Sequence, residues 1–333
     1  MKTSSKTMFF SLMIISTLMV MSSSNWLNMW IGLEMNLMAF IPLISESKNK
    51  FSSQTTMTYF LIQSMASMLF LMTMLMNKYI MFFISESMIK TFILLIMMMK
   101  MGMPPFHMWF PEMMNKMKWN MCLILMTWQK LAPMFITSMV IEVNKITMSV
   151  ICLSAIVGAV GGVNQTSTRK IMAYSSINHM SWMLSCAMNY KKSWMMYLFM
   201  YSMMMLIMAK MMNLYNIMYI NQMNIFFKNN MDKIIVIVTM LSIGGLPPFL
   251  GFFPKWMAIE YMIKMSEVMM MIVMVMSSLI TIMYYLRLSS SMNLIFSHSQ
   301  KWMFKPMTSK ITSMWLMFIN LAFPLIIMLY NFY

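Results

Sequence analysis

The chain has 333 residues, 60% hydrophobic and only 10% charged, and a mean hydropathy of +0.70; a water-soluble domain carries about a quarter charged residues, so a soluble globular fold is excluded. Its 24 basic and 8 acidic residues give a net charge of +16; they would suggest nucleic acid in a soluble protein, but most basic residues lie between apolar segments and read as topology signals and lipid-headgroup contacts. Cys122, Cys152 and Cys186 are isolated, and no glycine-rich loop follows a strand-like run, so no metal, iron–sulfur or nucleotide site is expected in this chain.

Lys2 and Lys6, the apolar run from Met8 to Met21 and the serines Ser22 to Ser24 have the outline of a signal peptide. Further hydrophobic segments make a cleaved signal unnecessary, so the run reads as a first transmembrane helix. In all, eleven segments span or nearly span a bilayer, with cores at 8–22, 25–44, 56–76, 80–101, 120–142, 146–163, 170–189, 193–215, 233–262, 268–288 and 312–331. The fourth continues through a break into a short amphipathic piece near 105–117, and the ninth is interrupted. The polar loops are 45–55, 221–232 and 289–311. The fold expected is an all-α polytopic membrane protein of about eleven transmembrane helices. It forms one domain, 1–333, with halves of roughly 8–142 and 146–288 and a C-terminal helix at roughly 312–331. With the N-terminus inside, fourteen Lys and Arg fall in inside segments and six outside, which predicts the N-terminus inside and the C-terminus outside.

The 62 methionines, and lysines that far outnumber the two arginines Arg169 and Arg287, fit an AT-rich genome whose code reads an extra codon as Met, as in many animal mitochondria. Met can replace Leu at lipid-facing positions at small cost.

Two stretches repeat. Gly102, Pro104, Pro105, Phe106, Phe110 and Pro111 recur as Gly245, Pro247, Pro248, Phe249, Phe253 and Pro254, six matches at one offset of 143. They fall on the fourth and ninth segments, five apart and therefore opposite in direction, as in inverted-topology repeats with two discontinuous helices. Proline removes a backbone donor and clashes with the preceding turn. The freed backbone must then line protein or a hydrated cavity, and in transporters such breaks mark the ion path; a plain kink is the simpler alternative.

Glu34, Lys100, Lys130 and Lys255 lie deep in apolar segments. Each charge at mid-bilayer costs about 2.5–3.5 kcal/mol, so these side chains are expected to face the bundle interior. A buried lysine that gains or loses a carboxylate partner can load or release a proton, as a relay requires, whereas a fixed ion pair would be static. His179, in a Ser–Asn–His stripe, serves either a relay or a packing hydrogen bond. His107, beside the first break, is expected to cap freed backbone, and Lys210 and Glu260 to snorkel.

These residues carry a resemblance. Gly32-Leu33-Glu34-Met35-Asn36, Lys100 to His107, Thr127 to Pro133, Arg169 to Ile177 and Gly245 to Phe252 together resemble, in order and over the whole chain, the chain-2 family of membrane subunits of mitochondrial NADH:ubiquinone oxidoreductase, respiratory complex I. Pro104, where many relatives have Ala, is a departure. The resemblance implies an antiporter-like subunit with inverted five-helix repeats and a lysine-rich polar axis, its family Glu matching Glu34 and its three lysines matching Lys100, Lys130 and Lys255. It implies proton translocation coupled to electron transfer from NADH to ubiquinone, in the inner mitochondrial membrane, with the N-terminus on the matrix side and the C-terminus on the intermembrane-space side. NADH, FMN, iron–sulfur clusters and ubiquinone would belong to other subunits, and the chain alone would not be catalytic. Partners would be other membrane-arm and accessory subunits and phospholipids such as cardiolipin, with no nucleic acid. Two rivals stand beside this reading: a stand-alone cation/proton antiporter, and a structural spacer whose charges pair statically.

Overall fold

The computed structural model describes residues 3–45, 50–79, 85–226 and 230–293. Among them the chain is helical with no strand; one isolated backbone bridge joins Ser167 to Tyr219. The helices are α1 (Thr3–Ser22), α2 (Trp26–Ile44), α3 (Lys50–Tyr79), α4 (Glu86–Met101), α5 (Trp109–Lys116), α6 (Trp119–Met126), α7 (Leu131–Val140), α8 (Lys145–Val163), α9 (Thr168–Asn189), α10 (Ser193–Leu214), α11 (Ile220–Phe226), α12 (Asn230–Gly244), α13 (Phe252–Lys264) and α14 (Val268–Asn293). Seven stretches of the described residues are long and apolar enough to cross a membrane. The segments at α4 and α12–α13 fall short because they are broken, and α9 because it is polar. The expected C-terminal helix at 312–331, and the side on which the chain ends, lie outside the described residues.

The chain divides between Val150 and Ile151 into two compact units. In the first, α2 packs against α1 and α3, and α4 against α3 and α7. In the second, α9 packs against α10, α13 and α14, and α12 against α10 and α14.

α4 and α12 end alike. Gly102 and Gly245 take the left-handed conformation, φ +70° and +80°, which a glycine adopts without a Cβ penalty. Gly102 N–H donates to the Met99 carbonyl and Met103 N–H to that of Met98, at 3.3 and 3.0 Å. Gly245 donates to Ser242 and Leu246 to Leu241, at 2.9 and 3.2 Å. Both pairs are Schellman closures, and the offset of 143 that relates the sequences also relates the hydrogen bonds. Paired prolines then delay the restart, and Pro111 and Pro254 are the third residues of α5 and α13, where an N–H would have no intrahelical partner. Gly251 is needed for a different reason: a Cβ there would lie 1.7 Å from the Ser242 carbonyl oxygen. The first break and the helices on either side of it carry buried thioethers, among them Met97, Met98, Met101, Met103, Met113 and Met114.

The fifth segment, expected as one helix over 120–142, is interrupted as well. A 3-10 turn, Trp128–Lys130, separates α6 from α7. Pro133 supplies no N–H to the Gln129 carbonyl four residues back, and its ring crowds that carbonyl, which weakens the α-helix at this point. The backbone tightens instead, with Lys130 N–H donating to the Thr127 carbonyl at 3.3 Å. Two boundaries also differ from expectation: α3 begins at Lys50, inside the loop expected at 45–55, and α11 lies partly within the polar stretch 221–232.

α9 runs through the middle of the second unit. From Ile171 to Ala187 every residue except Tyr174 is buried. Its serines would be costly there, but Ser175, Ser176, Ser181 and Ser185 each donate to the carbonyl three residues before, at 2.6 to 2.8 Å, so their hydroxyls are satisfied on their own helix.

Candidate proton site

In the first unit a small cavity of about 20 Å³ is lined by Asn36 of α2, Tyr59 and Gln63 of α3, Lys100 of α4, Trp109 and Phe110 of α5, and Gln129 and Lys130 of the 3-10 turn. Lys100 and Lys130 are 6% and 3% exposed. The end of one helix and the interruption of another thus bring both lysines to one polar space wide enough to admit water. Lys130 Nζ lies 5.3 Å from the centroid of the Phe110 ring, just beyond the first break. Gln63 Nε2 donates to the Lys100 carbonyl at 3.0 Å and so covers a backbone oxygen freed at the end of α4. Asn36 and Gln129 exchange two hydrogen bonds, at 2.8 and 3.1 Å, and Tyr59 Oη donates to Gln129 Oε1 at 3.4 Å.

Glu34 is half-buried. No ion pair joins it to Lys100 among the described residues. Lys90 and Glu142 do form one, at 2.5 Å, with both side chains about two-fifths exposed. At that exposure such a pair contributes little stability.

The second unit holds a tighter cluster, with no room for a water, formed by Ser175, Asn178, His179 and Trp182 of α9, Lys255 of α13, and Thr281, Tyr284 and Tyr285 of α14. Lys255 is 6% exposed, and its Nζ donates to the Gly244 carbonyl at 2.6 Å and lies 5.9 Å from the Trp182 ring centroid. Each helix that stops at a break therefore has a freed carbonyl held by a side chain, an amide at α4 and an ammonium at α12. His179, 5% exposed, has Nδ1 2.9 Å from Tyr197 Oη, and its ring centroid is 4.9 Å from that of Tyr201.

The structure thus puts Lys100 with Lys130, and Lys255 with His179. Gly102, Pro104 and Pro105 form one break, and Gly245, Pro247 and Pro248 the other. Lys210 is exposed and Glu260 half-buried. The expectation that His107 caps freed backbone is corrected: its Nδ1 is buried with no hydrogen-bond partner among the described residues, and its own carbonyl instead accepts from Phe110 N–H at 3.1 Å. Sequence reasoning did not single out Asn36, Tyr59, Gln63 or Gln129, although two of them signal themselves. Asn36 follows Glu34 by two residues, and Gln129 adjoins Lys130. Among the described residues no group of His, Cys, Asp and Glu could hold a metal ion.

Residues 23–281 match the family described as NADH:quinone oxidoreductase/Mrp antiporter, transmembrane. The protein of Anopheles gambiae named NADH-ubiquinone oxidoreductase chain 2 is 39% identical over 310 residues, covering 92% of this chain and 91% of that one. Its namesake in Bos taurus is 37% identical over 316 residues, covering 90% of each. Among solved structures, a chain of respiratory complex I from Thermus thermophilus superposes with a TM-score of 0.82 at 18% identity, over 96% of this chain and 77% of that one. That likeness shows a shared fold.

Proposed function

This chain belongs to the NADH-ubiquinone oxidoreductase chain 2 family, and from that premise we propose that it is a core membrane subunit of respiratory complex I that contributes to proton translocation. The observation that carries the reading is the cavity shared by Lys100 and Lys130. Two buried ammonium groups in one polar space cannot both keep their charge cheaply, so protonating one favours deprotonating the other. Glu34 modulates Lys100 through space. Lys255 and His179 form a second protonatable centre, and the proton route passes from Lys100 and Lys130 by way of His179 to Lys255. The two proline breaks belong to inverted five-helix repeats within a bundle of about eleven spans in one domain.

The protein resides in the inner mitochondrial membrane with its N-terminus on the matrix side and its C-terminus on the intermembrane-space side. It works beside other membrane-arm and accessory subunits and against phospholipids such as cardiolipin. NADH, FMN, iron–sulfur clusters and ubiquinone reside in other subunits, and this chain alone carries no redox chemistry.

The test replaces Lys100 or Lys130 by Met in the assembled complex and measures NADH-driven proton uptake in sealed vesicles. Pumping is expected to be lost while assembly persists. Pumping at the unsubstituted level in both variants would leave a spacer with static charges. Transport by the purified chain in isolation would favour a stand-alone antiporter.

A further inference from the structure

The pair Asn36–Gln129 joins the helix that carries Glu34 to the turn that carries Lys130. Asn36 Nδ2 donates to Gln129 Oε1 at 2.8 Å, and Gln129 Nε2 donates to Asn36 Oδ1 at 3.1 Å. The two residues are 4% and 8% exposed, and both line the cavity of Lys100 and Lys130. Neither amide can turn without giving up both bonds at once, and an amide left unpaired in an apolar surrounding is costly. The 3-10 turn has little rigidity of its own, because the helix is interrupted there and only short-range backbone bonds hold it, Lys130 N–H to the Thr127 carbonyl at 3.3 Å and Leu131 N–H to that of Trp128. The side-chain pair therefore determines where this turn sits relative to α2. Residues two apart on a helix lie about 200° apart around its axis, so Glu34 is off the face of α2 that holds the turn.

We propose that Asn36 and Gln129 are positioning residues: a reciprocal amide clamp that sets the place of Lys130 in the cavity and with it the proton exchange there. The proposal rests on the proton-translocating role of Lys130. Its geometry is testable because the two side chains differ by one methylene. Asn36→Gln lengthens the clamp, Gln129→Asn shortens it, and the two together restore its summed length with the amides exchanged.

The measurement is NADH-driven proton pumping by the assembled complex in sealed vesicles across a range of pH. Each single substitution is expected to lower pumping by about tenfold or more, since misplacing a reacting group by about 1 Å can cost on the order of 10²-fold, and to change the pH profile. The double substitution is expected to recover most of the rate and the original profile. Normal singles overturn the proposal, as does a double no better than the worse single. If a single substitution prevents assembly, Asn36→Leu reads the same clamp. It removes both bonds to Gln129 at nearly the same side-chain size, and an unchanged profile overturns the clamp. Lys130→Met separates the two levels: if that variant pumps normally the functional reading itself fails, whereas normal pumping confined to the clamp variants sinks the clamp alone.

Discussion

Lys255 Nζ reaches back across the second break to the carbonyl of Gly244, 2.6 Å away, and its stem passes over the face of Gly245. A Cβ on Gly245 would lie 2.6 Å from Lys255 Cδ, and the residue's φ of +80° is strained for any other L-residue. This lysine is held by a helix end as much as by the cluster around it.

Gly245→Ala is therefore expected to act twice. The left-handed backbone would cost about 1–2 kcal/mol, and the lysine stem would be pushed off the carbonyl. Reduced assembly in native gels, with diminished pumping by the complex that does assemble, is the expected outcome. Normal values of both would show that Lys255 does not depend on this close approach.

Pro133→Ala gives the Gln129 carbonyl a donor again. α6 and α7 should then tend to fuse into one continuous helix, rotating Lys130 away from Phe110. Assembly is expected to persist, since apolar packing is kept, while pumping falls. A variant that pumps normally would show that the interruption at Trp128–Lys130 is incidental.

Tyr197→Phe removes the hydroxyl 2.9 Å from His179 Nδ1. Losing one such bond costs about 0.5–1.5 kcal/mol, so thermal stability should fall only slightly. The imidazole loses one of the contacts that orient it, and the pH profile of pumping should change. An unaltered profile would assign His179 to packing, the alternative that its sequence setting leaves open.

Arg287 donates from both terminal nitrogens to the carbonyls of Val163 and Gln165, each at 2.6 Å, and closes the end of α8. Lysine presents a single ammonium and cannot reproduce that fork. Arg287→Lys is expected to lower stability by about 1 kcal/mol, read as a lower melting temperature of the assembled complex, and to leave the pH profile of pumping unchanged. A changed profile would mean that this end of α8 takes part in proton movement.

The parts legible in the sequence are those governed by neighbouring residues. The Gly-x-Pro-Pro pairs announced both breaks, because the loss of backbone donors is a local event. The depth of Lys100, Lys130 and Lys255 announced their burial, because a charge inside an apolar run has nowhere else to go. The third interruption was less visible: Pro133 lies four residues beyond the carbonyl it orphans, and a single proline in a span normally gives only a kink. Partners were not visible at all. Asn36 and Gln129 are 93 residues apart and Gln63 and Lys100 37 apart, and no spacing rule links them. His107 failed as a cap because adjacency to freed backbone does not fix where a ring points.

The methionines around the first break bear on how that region can change shape. A wall of unbranched thioethers has many rotamers of similar energy and a polarisable sulfur. It can yield around a side chain that gains or loses a charge where leucines or isoleucines would resist. The same softness is a chemical weakness: oxidation would turn any of these sulfurs into a polar sulfoxide and stiffen the wall that now yields.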